Sequence, residues 1–112
     1  MKIYSPGTIV HVDNQEVNKY EQGRPFVIVG YSHPAYMIAP LTTREHAYDD
    51  DVTIGTDDAS GLLMQSHAKC QSFTTVGQKS VRKALGHISE EKTSEIVEKI
   101  RAVTNRMLEE SR

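Results

Sequence analysis

Short apolar runs broken by polar stretches fill most of the chain, and a different rhythm takes over at its end. In "GTIVHVD", Thr8, Val10 and Val12 alternate with Ile9 and His11 behind the turn signal Ser5-Pro6-Gly7, the period-two pattern of a short strand. "NQEVNKYEQG" (14–23) carries no such pattern and predicts a loop of a length that often serves function. "PFVIVGY" (25–31) is dense in β-formers, with Pro25 at the first position, where a missing amide donor is tolerated. "SHPA" (32–35) predicts a turn and "YMIAPLTT" (36–43) the next strand, with Pro40 marking an edge or a bulge. "DVTIG" (51–55) predicts a short strand, and 62–76 is extended, as one bent strand or two short ones. "QKSVRKALG" reads as a short helical turn stopping at Gly86. From Ser89, an N-cap followed by Glu90 and Glu91, the period changes. Ile96, Val97, Ile100, Val103 and Met107 recur at steps of three and four and form the apolar stripe of a helix over about 89–109. About five strands (about 7–76) followed by one helix predict a small twisted β barrel with a C-terminal helix, or an α+β sheet.

The two central strands carry a consequence of register. If Tyr31 pairs with Tyr36 across the turn, the paired positions have a constant sum, so Pro25 faces Thr42 and Arg24 faces Thr43. The open end of the hairpin then gathers a guanidinium and two hydroxyls. A planar fork of donors matches a phosphate, and threonine hydroxyls both donate and accept. The same spacing also suits an arginine paired with a surface carboxylate beside threonines that merely end a strand.

Composition narrows the classes. A chain of 112 residues forms one domain with a core of its own. With 38% hydrophobic and 25% charged residues and a formal net charge of -2, it lacks the footprint of a strongly basic nucleic-acid binder, though local basic patches remain open. The start shows no signal-peptide pattern and no run is long enough to span a bilayer, so a cytoplasmic location without a membrane partner is expected. One cysteine, Cys70, excludes an internal disulfide and reads as a small core residue. The five histidines show no metal-ligand spacing, so neither metal nor other cofactor is expected. His46, just past Thr42, is within reach of a substrate there, where a neutral imidazole suits proton transfer, but the plainer reading of it, of His11 and of His67 is a solvated imidazole, and Ser66 serves equally as a turn or strand-end hydroxyl.

Taken in order, "GTIVHVD", "GRPFVIV", "APLTT", "GLLMQS", "KCQSFTTV" and "ALGHIS" before a final helix resemble the MazF/PemK toxins of type II toxin–antitoxin modules. The resemblance runs from Gly7 to about Leu108, and Gly-x-Arg-Pro followed by a strand ending Pro-Leu-Thr is its most specific part. It implies an SH3-like barrel with a C-terminal helix, a homodimer, metal-independent cleavage of single-stranded RNA, and inhibition by an antitoxin protein. It implies Arg24 and Thr42 as the catalytic pair, with Thr43, Ser66, Lys69, Gln71 and Thr74 in the substrate-binding stretches. The sequence also departs from the family: Gln71 stands where an acidic residue is common, Ser72 where a glutamine is common, and Thr74 where an arginine is common. A member of the same fold that binds a protein, as gyrase-directed relatives do, is the alternative these departures leave open.

Overall fold

The computed structural model describes residues 3–12, 25–43, 50–56 and 60–111. Among the described residues seven strands, β1 (Thr8–Val12), β2 (Pro25–Ser32), β3 (Ala35–Thr42), β4 (Asp51–Ile54), β5 (Ser66–Lys69), β6 (Thr74–Gly77) and β7 (Val81–His87), precede the helix α1 (Glu90–Glu110). All pairings are antiparallel, in the order β4-β5-β3-β2-β1-β7, with β6 also on β3. The fold is mainly β with a C-terminal helix, as expected. The barrel is not closed: β4 and β7 end the sheet without pairing to each other among the described residues.

Two apolar clusters occupy the two sides of the central strands. Ile9, Val27, Ala39, Leu41, Val52 and Ala68 pack toward Ile96 and Ile100 of α1. Val10, Val12, Phe26, Ile28, Ile38 and Val76 form the other cluster. Burial on both faces explains the continuous apolar run of β2, since neither set of alternate positions meets water. Ser89 caps α1 by accepting from the Lys92 amide at 3.1 Å, and Ile96, Ile100 and Val103 are its buried stripe.

Four expectations need correction or sharpening. Tyr31 pairs with Tyr36 as predicted, but the turn is only His33-Pro34, and a bulge at Val29 shifts the register to Phe26↔Pro40. The constant-sum rule fails there, so Pro25 is not level with Thr42. Gly30 instead meets Met37 on the helix side while Tyr31 keeps Tyr36 on the other. Pro40 is neither at a sheet edge nor at a bulge. It falls where β3 changes partner, from β6 (Ile38↔Thr74) to β5 (Leu41↔Ala68), so its missing amide costs no ladder bond on that side. The extended stretch 62–76 resolves into two strands joined by a 3-10 turn, Cys70–Ser72. Of 78–86, expected as a helical turn, only Gln78–Ser80 is helical, and Val81–His87 is strand β7 on the edge of β1. Arg82, Lys83, Ala84 and Leu85 are good helix formers, and here the ladder with β1 overrides propensity. The predicted loop 14–23 and His46 lie outside the described residues.

Candidate functional site

β3, β5 and β4 run side by side, and their register sets three polar residues in one row. Thr42 is level with His67, and His67 is level with Thr53. Directly paired residues of an antiparallel sheet project to the same face with Cβ atoms about 5 Å apart. Leu41, Ala68 and Val52 point into the core beneath α1, so alternation turns Thr42, His67 and Thr53 to the opposite face. Thr42 and His67 are half-buried and Thr53 is exposed. The Thr53 hydroxyl and His67 Nδ1 are hydrogen-bonded at 3.0 Å. One step along, Asp51 and Lys69 are also paired in register, and Lys69 Nζ reaches Asp51 Oδ2 at 3.2 Å. The Asp51 side chain is only 3% exposed, so this ion pair is tied into the sheet and is not a loose surface contact.

The other expected site residues are distributed differently. Thr43 is exposed just beyond β3 and Ser66 is buried at the start of β5. With His11, Pro25, Leu62 and Leu85 they line a pocket of about 360 Å³. Ser66 donates to the Met64 carbonyl at 3.0 Å, the strand-end role read from the sequence. Gly61 belongs to the same wall: its φ of +71° and the Leu85 carbonyl oxygen 2.3 Å from where a Cβ would stand leave room for glycine alone. Thr74 is level with Ile38. Four residues of strand separate that level from Thr42, roughly 13 Å. Gln71 is exposed on the 3-10 turn. The structure therefore brings together Thr42, Lys69 and His67, places Thr43 with Ser66, and keeps Thr74 away from both groups. Arg24 lies outside the described residues, and Pro25, to which it is bonded, lines the pocket.

The sequence pattern took His67 for a solvated imidazole and did not single out Thr53. The signal was the alternation Ser66-His67-Ala68-Lys69, whose buried serine and alanine oblige the imidazole and the amine to share the outer face. His11, also read as solvated, sits on β1 opposite Pro25 and at the pocket.

Two neighbouring groups have shifted proton affinities. Burial first, then Asp51 and Asp50, pushes the Cys70 thiol up to about 12, so it stays protonated and unreactive. The Arg106 guanidinium, 2.6 Å from Asp50, holds that carboxyl below the ordinary carboxylate value. Among the described residues no three His, Cys, Asp or Glu side chains are placed to share a metal ion, and no helix is long and apolar enough to cross a membrane.

An antiparallel sheet backed by a C-terminal helix, in this arrangement, is also the fold of several solved bacterial toxins. Residues 5–104 match the family described as the PemK-like, MazF-like toxin of type II toxin–antitoxin systems, and the chain belongs to that family. No curated protein sequence matches it. Among solved structures it is similar to the Mycobacterium tuberculosis toxin MazF-mt6, with 19% identity, TM-score 0.68, and coverage of 90% of this chain and 97% of that one. It is similar to a mycobacterial endoribonuclease in complex with its cognate antitoxin (18% identity, TM-score 0.74, 92% and 96% covered). It is also similar to MazF from Deinococcus radiodurans in a MazE–MazF complex (15% identity, TM-score 0.73, 94% and 99% covered).

Proposed function

We propose that this chain is an endoribonuclease toxin that cuts single-stranded RNA without a metal ion, acts as a homodimer in the cytoplasm, and is neutralised by an antitoxin protein. The observation that carries the reading is Thr42. In a chain of this family it ends the central strand on an open polar face, beside an imidazole and next to the Lys69 level. A hydroxyl so placed can hold a ribose 2′-hydroxyl or a phosphoryl oxygen within hydrogen-bonding reach. The relatives described as an endoribonuclease and as MazE–MazF complexes support the activity and the antitoxin. Leu63 and Met64, 97% and 62% exposed, offer apolar surface that a second copy or an antitoxin would cover.

In this reading the 2′-oxygen attacks the adjacent phosphorus and the 5′-oxygen leaves, so a 2′,3′-cyclic phosphate and a 5′-hydroxyl result. Negative charge grows on the phosphoryl oxygens, where fixed donors help most. Arg24 supplies them, being permanently charged and a poor proton acceptor. Thr42 positions the reacting ribose. Thr43, Ser66, Lys69, Gln71 and Thr74 contact flanking nucleotides, with Lys69 also bound to Asp51.

The test is direct. Purified chain incubated with a long single-stranded transcript in excess EDTA should cut it at defined sites, and folded Arg24→Ala should not. No cleavage by the wild-type chain, together with capture of a protein target, would replace this reading with that of a protein-binding member of the fold.

A further inference from the structure

We infer that His67 is the group that takes the proton from the attacking 2′-hydroxyl, held for the task by Thr53. The inference rests on the endoribonuclease reading above and goes beyond it, because that reading leaves the proton without a recipient. Arg24 cannot accept it, threonine hydroxyls are far too weak as bases, and Gln71 does not titrate.

Three observations converge on His67. Its Cα is level with that of Thr42 in the β3–β5 ladder, so the imidazole and the hydroxyl project side by side from one face. Its Nδ1 is hydrogen-bonded to Thr53 Oγ1 at 3.0 Å on the opposite flank. It is half-buried, with packed strands on both sides, so its ring is confined without being sealed from substrate. When Nδ1 carries the proton and donates it to Thr53, Nε2 presents a lone pair, which is the arrangement of a general base oriented by a third group. Thr53 is then a positioning residue. It fixes the ring and the tautomer and touches no substrate.

The step balances. The 2′-hydroxyl proton moves to His67 Nε2 as the 2′-oxygen bonds to phosphorus. The bond from phosphorus to the 5′-oxygen breaks, and that oxygen keeps the electron pair and takes a proton from water. The imidazolium later returns its proton to solvent, so no oxidant, metal or net water is consumed. Among the described residues, the charged groups facing His67 on this surface are Lys69, two residues along β5, and Asp51 on β4, and they are bound to each other. Thr42 on β3 and Thr53 on β4 are uncharged.

Single-turnover cleavage of a single-stranded transcript at one mapped site, measured across pH, tests the assignment. The wild-type rate should fall tenfold per pH unit on the acid limb, as for a step that needs one deprotonated base. His67→Gln keeps a hydrogen-bonding side chain of similar reach but removes the titration. It should slow cleavage at least about 100-fold and flatten the acid limb. Its binding to the same RNA carrying a 2′-deoxy substitution at the cut site should stay within threefold of wild type. His67→Ala should regain rate with added imidazole, and Thr53→Val should lower the rate while keeping the acid limb. A folded His67→Gln protein that cleaves within threefold of wild type with the same acid limb overturns the assignment and leaves the nuclease reading standing. A wild-type chain that cuts no RNA overturns both.

Discussion

Replacing Gly61 by alanine perturbs one backbone position for two separate reasons. Its φ of +71° lies in the left-handed region, which costs an L-residue with a Cβ about 1–2 kcal/mol. The new Cβ would also stand 2.3 Å from the Leu85 carbonyl oxygen. Ordinary carbon–oxygen contacts begin near about 3.3 Å, so either the loop or β7 must retreat by about 1 Å. The obstacle is backbone, not the end of a flexible side chain, and such overpacking adds about 1–3 kcal/mol. Alanine also restricts the unfolded chain, which returns about 0.5 kcal/mol. The expected net loss is about 2–4 kcal/mol, or about 8–16 °C in Tm for a domain of this size. Gly77 is the internal control: it has φ -62° and ψ 142°, and nothing stands within 4 Å of its would-be Cβ. Gly77→Ala should be neutral or stabilising by up to about 1 kcal/mol. Urea unfolding of both variants, with m-values compared to wild type, measures the difference. A Gly61→Ala protein within about 0.5 kcal/mol of wild type, or two variants that lose equal stability, would refute the close contact between this loop and β7.

Other predictions follow from the helix and the thiol. Ser89→Ala removes the acceptor of the Lys92 amide and should cost about 1 kcal/mol, measured by thermal melting. Cys70, raised to about 12, should resist a thiol-specific disulfide reagent at pH 8 until the protein is unfolded. Because its folded value lies above the unfolded one, its contribution to stability is complete below the ordinary thiol value and is lost as pH rises toward about 12. Cys70→Ala should lack that alkaline loss in melts taken from pH 8 to 11. Asp50 shows the opposite sign: its carboxyl is lowered by Arg106, so the pair stabilises above the ordinary carboxylate value and is lost as pH falls through the lowered one. Arg106→Ala should therefore lower Tm slightly at pH 7 and by less in acid below the ordinary carboxylate range.

The strands built on strict alternation were legible because burial on one or two faces leaves a direct mark on residue type, as in "GTIVHVD" and "DVTIG". The helix was legible from its cap and its stripe. β7 was not, because an edge strand with no fully buried residue carries little apolar pattern and its residues favour a helix in isolation. The bulge at Val29 was also hidden, since a one-residue slip leaves no trace in composition, and it moved the hairpin arithmetic by one position. Thr42 became a candidate through a motif. Its partnership with His67 could come only from the pairing of β3 with β5, which joins segments far apart in the chain.

The proposed reaction is internal transfer to the 2′-oxygen, using Arg24 and Thr42. Its most direct test is mass analysis of the ends left on a single-stranded transcript after incubation with the purified protein in EDTA. Wild type should leave a 2′,3′-cyclic phosphate and a 5′-hydroxyl, and folded Arg24→Ala and Thr42→Val proteins should leave the transcript intact or nearly so. Intact RNA with the wild-type protein, 5′-phosphate ends, or undiminished cleavage by folded Arg24→Ala would contradict it.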